Sequence, residues 1–254
     1  MNETTVVEYK EVTLKEPVMI VGLPGIGLIG KLVADHLINE LKAEKVMEIF
    51  SPHLPPQVTV NSDATIKLVS NEIFVWKGNE QTPDLLLLVG EHQSATNEGH
   101  YELAGIYLDI AEKFQVKRIY TLGGYGTGKL LDIPNVLYAT NKPDIAEEIK
   151  SYGAYFNEGE LSGGIIGASG LILGLGELRG VEAVCLMGET SGYLVDPKSA
   201  QAVLGVLCKA LNLTVNMKEL EARAQDIEKI ITKIREMEDA QLPKDYNAEE
   251  KYIG

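Results

Sequence analysis

The sequence predicts an α/β domain with helices on both faces of a mostly parallel sheet, and three observations carry that prediction. Short runs rich in Val, Ile and Leu recur along the chain, each bounded by glycine or a polar loop. Segments with a helical apolar repeat lie between several of them. The runs themselves, "DLLLLVG" among them, are apolar without alternation, as strands are when both faces of a sheet are covered.

Taken in order, a first strand is expected at Val18 to Val21, then a helix whose stripe is Leu28, Ile29, Leu32, Val33, Leu37 and Leu41. Lys45 to Phe50 reads as the next strand. The proline-rich "SPHLPPQV" breaks the regular pattern, and "ATIKLVSNEIFVWKG" reads as an antiparallel hairpin turning at Ser70-Asn71. Leu85 to Val89 is a strand, followed by a helix with Leu103, Ile106, Tyr107, Ile110 and Phe114 on one face. Further strands are expected at Arg118 to Leu122 and Val181 to Met187. Between these two, Gly163, Gly167, Gly170 and Gly174 stud one apolar helical stretch. Each glycine costs a helix about 1 kcal/mol relative to alanine, so close packing on the sheet or at a subunit interface is expected in return.

From Met217 to Ala240 the positions Leu220, Ala224, Ile227, Ile231 and Ile234 recur at steps of four and three, predicting a long amphipathic helix. Pro243 stops it, and "KDYNAEEKYIG" carries no periodicity. The expected organisation is a domain over 1–213, the helix over 214–240 and a mobile tail over 241–254.

Composition narrows the function. A chain of 254 residues with 45% hydrophobic content can bury a substantial core. A net charge of −14 argues against nucleic-acid binding, which draws its affinity from clustered Lys and Arg. Cys185 and Cys208 lie in apolar runs, where a reduced thiol acts as a small hydrophobe. "MNETTVVEYK" lacks the pattern of a signal peptide, and "GGIIGASGLILGLGEL" is too short and too interrupted to span a bilayer. A cytoplasmic protein with no membrane partner is expected.

Two glycine loops invite a nucleotide reading. "VMIVGLPGIGLIGKLVADHL" satisfies G-x-G-x-x-G at Gly25, Gly27 and Gly30, a spacing that lets a backbone approach a pyrophosphate. A dinucleotide fold also needs a carboxylate at the end of the second strand. Glu48 is at about the right distance but lies inside "KVMEIF", and the strand finishes in Phe50-Ser51. A structural turn with close helix–sheet packing is the reading carried forward. "GGYGTGKL" nearly matches the phosphate-loop pattern, but Leu130 stands where Ser or Thr must bind Mg²⁺, and no helix follows. A turn or surface loop is expected there.

Four strands are expected to end in polar loops: "GLPG", "GEHQS", "GGYG" and "GETSG". The carboxyl ends of strands form the usual crevice of such sheets, so Glu91, His92, Glu189, Thr190 and Ser191 define the pocket of an alternative, enzymatic reading. "GETSG" imitates a nucleophile elbow centred on Thr190, yet all four histidines, His36, His53, His92 and His100, precede it. No H-E-x-x-H or paired-cysteine spacing is present, so no metal or other cofactor is expected.

Together, "VMIVGLPGIGLIGKLVADHLI", "SPHLPPQV", the segment after it, "DLLLLVGEHQS", "IYTLGGYGTG", "SGGIIGASGLILGL" and "CLMGETSGYLVDP" resemble the proteasome assembly chaperone family in its archaeal form, over roughly 15–213. The resemblance implies an α/β/α sandwich with a topology related to nucleoside phosphorylases and no catalytic site. Gly22, Pro24, Gly25, Gly27 and Gly30 would then shape a family loop. It also implies an ATP-independent factor that acts on the α subunits of the proteasome core particle, as a homo-oligomer. In proteasome-binding factors a hydrophobic residue, a tyrosine and a last residue enter α-ring pockets, an aromatic anchor joined to capture of a chain end. Tyr252, Ile253 and Gly254 are the corresponding residues, with the tyrosine one place earlier than in that motif. An oligomeric scaffold for an unrelated partner is the remaining alternative.

Overall fold

The computed structural model describes residues 1, 3–159, 161 and 163–241. Tyr252, Ile253 and Gly254 lie outside the described residues. In chain order the elements are β1 (Thr5–Glu8), β2 (Val18–Gly22), α1 (Ile29–Leu41), β3 (Glu44–Phe50), β4 (Val58–Val60), β5 (Ile66–Leu68), β6 (Asn71–Trp76) and β7 (Leu85–Gly90). There follow α2 (Asn97–Lys113), β8 (Arg118–Gly126), β9 (Val136–Thr140), α3 (Ala146–Ser151), α4 (Ala168–Leu178), β10 (Glu182–Thr190), α5 (Pro197–Leu211) and α6 (Lys218–Gln241).

Eight strands form one sheet in the order β1-β3-β6-β7-β2-β8-β10-β9. Side chains alternate across it, which produces two cores. Met19, Val21, Leu86, Leu88, Ile119 and Cys185 pack under α2 and α4. Val18, Ile20, Leu85, Leu87, Tyr120 and Leu186 pack under α1 and α5. The result is the α/β sandwich expected from continuously apolar strands. Leu220 and Ala224 at the start of α6 are buried, Leu220 within the second core. The side chains of Ile231 and Ile234 lie outside the described ones.

Parallel pairing is confined to β7, β2, β8 and β10; β1, β3 and β6 on one flank and β9 on the other are antiparallel to their neighbours. The expectation of a mostly parallel sheet therefore holds at the centre, and the sheet as a whole is mixed. Chain connectivity explains the β6–β7 pair: a parallel neighbour needs a crossover of a dozen or more residues, whereas a short loop joins β6 to β7.

The expected hairpin about Ser70-Asn71 is corrected. β5 pairs with β4 in a separate two-stranded ribbon, and β6 enters the main sheet. The turn lies at Asn61 to Thr65, where the Asn61 and Thr65 side chains are bonded at 2.9 Å and Ala64 takes a left-handed φ of 66°. Asn71 is fully buried; its Nδ2 donates to the His92 carbonyl at 3.1 Å and its Oδ1 accepts from Tyr107 at 2.6 Å.

A second correction concerns "GGYG". β8 pairs with β10 as far as Gly126 opposite Thr190, so Gly123, Gly124 and Gly126 are strand residues, not a turn. A third concerns the glycine-studded stretch: α4 begins only at Ala168, with Gly163 before it and Gly167 at its N-cap. A Cβ on Gly170 would meet the Ile165 carbonyl at 2.1 Å, while one on Gly174 would meet nothing within 4 Å. Close approach therefore explains Gly170 alone of these two.

Candidate functional site

The loops after β3, β7, β2, β8 and β10 emerge at one edge of the sheet, the carboxyl edge of its parallel strands. The loop after β2 makes a short 3₁₀ turn over Ile26–Leu28, with Gly27 and Leu28 both in the left-handed region at φ 66° and 53°. Two successive residues there reverse the chain tightly enough to start α1 against the sheet. Gly22, Gly30 and Gly124 permit the contact. A Cβ on Gly30 would lie 2.3 Å from the Leu122 carbonyl, one on Gly22 2.2 Å from Ala34 Cβ, and one on Gly124 2.4 Å from the Ile26 carbonyl. Pro24 accepts a bond from Gln93 at 2.7 Å, and the same amide accepts from the Ala168 backbone at the start of α4 at 3.0 Å.

The backbone of this loop is therefore engaged by the protein itself. Leu28 donates to the Gly25 carbonyl, and Asp196 donates to that of Gly27 at 2.9 Å. Glu48, the residue at dinucleotide distance, faces elsewhere: it is buried and accepts from Tyr9 and, at 3.1 Å, from Lys45. Burial pushes its carboxyl up, but these bonds outweigh it and hold the group below the usual range.

The residues of the enzymatic alternative are not brought together. β2 and β8 separate β7 from β10, which places Glu91 and His92 roughly 14 Å from Glu189 at three strand spacings. The Glu91 carboxylate pairs with Lys31 at 2.9 Å, and Lys31 also pairs with Asp35 at 2.9 Å. Burial disfavours the Lys31 charge, yet the two carboxylates prevail and raise its pKa. His92 Nε2 meets Gln57 at 2.7 Å. Glu189 accepts from the Asn135 backbone at 2.9 Å, the Asn135 amide at 2.8 Å and the Tyr155 hydroxyl at 2.7 Å. Burial alone would raise the Glu189 carboxyl; the three donors bring it below its ordinary value. Thr190 and Ser191 are buried, and the Thr190 carbonyl accepts from the Thr127 backbone at 2.8 Å. Burial lifts the Cys185 and Cys208 thiols to about 11, which leaves them unreactive at neutral pH.

Ser191 does line an open cleft of about 310 Å³ between the β8–β9 loop, the β10–α5 loop and α6, together with Leu130, Leu194, Asp196 and Ile227. Asp196 is occupied as the cap of α5, accepting from Ser199 at 2.9 Å. Among the described residues no group of three or more His, Cys, Asp or Glu could hold a metal ion, and no helix is long and apolar enough to cross a membrane.

What this edge does present is apolar surface. Val58, Val60, Ile66 and Leu68 are all exposed on the ribbon, and Ile26, Leu28, Ile133, Ile166, Tyr193 and Leu194 are exposed on the other loops. Sequence reading did not find this surface, although the alternation in "VTV" and "IKL" was its signal.

A model of the PAC2 family matches residues 19–235. The chain is 41% identical over 229 residues to an uncharacterised protein of Methanocaldococcus jannaschii, covering 90% of this chain and 87% of that one. It is 40% identical to Pyrococcus furiosus PbaB, described as an archaeal proteasome activator, with a TM-score of 0.88 over 92% of this chain and 100% of PbaB. It shares the fold of P. furiosus PbaA, described as an archaeal homologue of proteasome-assembly chaperone, at 24% identity and a TM-score of 0.77, covering 94% and 95% of the two chains.

Proposed function

The chain belongs to the PAC2 family, as its sequence blocks suggested, and from that membership we propose that it is an ATP-independent, chaperone-like protein of the proteasome that docks on the α ring of the core particle. The observation that carries the reading is the 40% identity to PbaB across nearly the whole of both chains. The geometry supports a binding role over catalysis. Gly22, Gly30 and Gly124 are placed where protein atoms come close, and the polar strand-end residues Glu91 and Glu189 are each held in separate structural bonds. In this reading the protein is cytoplasmic, works without a cofactor and acts as a homo-oligomer. Tyr252, Ile253 and Gly254 are the docking residues, and several tails engaging together raise avidity through effective concentration.

Deleting Lys251 to Gly254 is expected to abolish co-sedimentation with purified proteasome core particles while leaving the melting temperature unchanged. Full-length protein that failed to bind would remove the proteasome reading. Unchanged binding by the truncated chain would remove only the tail. In the same preparation, nucleosides and nucleotides are expected to produce no thermal shift, since only a ligand that prefers the folded state raises apparent stability.

A further inference from the structure

One wall of the cleft that Ser191 lines is made by α6, the last described element of the chain. Ala224 and Ile227 of α6 line it together with Leu130 of the β8–β9 loop and Leu194 and Pro197 of the β10–α5 segment, around a volume of about 310 Å³. Ligand pockets run from roughly 300 to 1,000 Å³, so a cleft of this size suits one or two large side chains. Leu130 is 46% exposed and Leu194 38%, which leaves apolar area open at the mouth.

The polar lining is small and unevenly engaged. Asp196 is occupied as the cap of α5, and Lys198 already has a partner. Asp132 is exposed and has no hydrogen-bond or ion-pair partner among the described residues. An occupant that matches the cleft therefore carries a cation next to apolar side chains.

We propose that the cleft is a resting seat for the end of the chain itself, with Tyr252 and Ile253 against its apolar walls and Lys251 on Asp132. Reach, residue order and tethering select that occupant. Thr232, also in the lining, lies nine residues before the end of α6, about 14 Å at the helical rise per residue. Eleven further residues lead to Tyr252, enough to cross roughly 35 Å when extended, so the end returns to the cleft with slack. Within 242–254, Lys251-Tyr252-Ile253 is the one place where a cation adjoins two consecutive large apolar side chains. A tethered segment is present at about millimolar effective concentration, so a weak seat is enough to hold it. The inference rests on the α-ring reading above and adds its regulation. Seated residues must leave before they dock, and the apparent affinity for the core particle falls with the fraction of open chains.

The test is digestion of the full-length chain by a carboxypeptidase, with loss of Gly254, Ile253 and Tyr252 followed by mass spectrometry. Leu194→Asp and, separately, Asp132→Lys are expected to speed that loss about tenfold while the melting temperature is kept. Val60→Asp, on the exposed β4–β5 ribbon, is expected to leave the rate unchanged. Asp132 is an exposed loop residue, so its variant decides the matter if Leu194→Asp unfolds. Wild type digested as fast as the folded variants overturns the proposal, and so does acceleration by Val60→Asp, which would seat the tail on the ribbon. Core-particle binding by the same variants separates the two readings. Faster digestion with tighter binding supports both, whereas faster digestion with unchanged binding keeps the seat and removes the α-ring role of the tail.

Discussion

Gly30→Ala is expected to destabilise the protein by about 3 kcal/mol, lowering the thermal midpoint by roughly 6–12 °C for a chain of this size. Helix propensity runs the other way, since alanine in the first turns of α1 is favoured by about 1 kcal/mol. The clash must exceed that gain. A Cβ at this position would lie 2.3 Å from the Leu122 carbonyl oxygen and 2.9 Å from its carbon, and the obstacle is the backbone of the central strand β8, which no rotamer change can relieve. Either α1 lifts from the sheet, uncovering Ile29, Val33 and Leu37, or β8 bends and strains its pairing with β2 and β10. The control is Gly25→Ala. Gly25 has extended backbone and nothing within 4 Å of its Cβ position, so the change is expected to stay within about 0.5 kcal/mol. A pyrophosphate loop would need the glycines for approach of a ligand; a packing loop needs them where protein is close. Denaturation of both variants, with and without NAD, separates the two: nucleotide protection of wild type that either substitution removes would defeat the packing account.

The same contact shows which parts of the fold could be read from the chain. Strands β2, β7, β8 and β10 were legible because burial on both faces leaves nothing but apolar residues in "VMIV" or "LLLLV". Glycine was where reading failed. In "GGYG" glycine reads as the end of a strand, but in a sheet it equally marks a place where another backbone comes close, as Ile26 does to Gly124. The ribbon was misplaced for a related reason. Ala64, a residue with no preference for left-handed backbone, occupies that conformation because the Asn61, Asp63 and Thr65 side chains close the turn around it. Strand β1 is four residues long, mostly exposed and at the edge, so it carries no periodic signal to find. At the candidate site, residue type alone could not show that Glu91 and Glu189 lie three strands apart. That depends on strand order, which emerges only when the whole sheet is assembled.

Arg118→Met is expected to destabilise the protein by about 3 kcal/mol at neutral pH, and the loss should shrink in acid. Arg118 opens β8 opposite Glu182, the first residue of β10, and bonds to it through Nε. Its terminal nitrogens hold the Glu148 carboxylate of α3 at 2.7 and 3.0 Å, and one of them donates to the Tyr120 hydroxyl at 3.0 Å. One guanidinium thus joins two strands to a helix. Methionine fills much of the volume but leaves two carboxylates without their cation, and stranding a partly buried charge costs more than the intact pair contributes. Hydrogen bonds from Arg118 are the main cause that holds the Glu148 carboxyl below its ordinary value, with burial opposing. A carboxyl depressed by folding stabilises fully above its unfolded pKa of about 4.3 and loses that contribution as the pH falls through its folded value. The gap between wild type and Arg118→Met should therefore be widest above about pH 5 and narrow below about pH 4 as Glu148 protonates in both. Combining Arg118→Met with Glu148→Gln and Glu182→Gln should recover part of the loss at pH 7 by removing the stranded charges. A gap that stays constant from pH 7 to pH 3, or a triple variant no better than the single one, would mean that Arg118 acts by packing against Tyr120 and not by its charge.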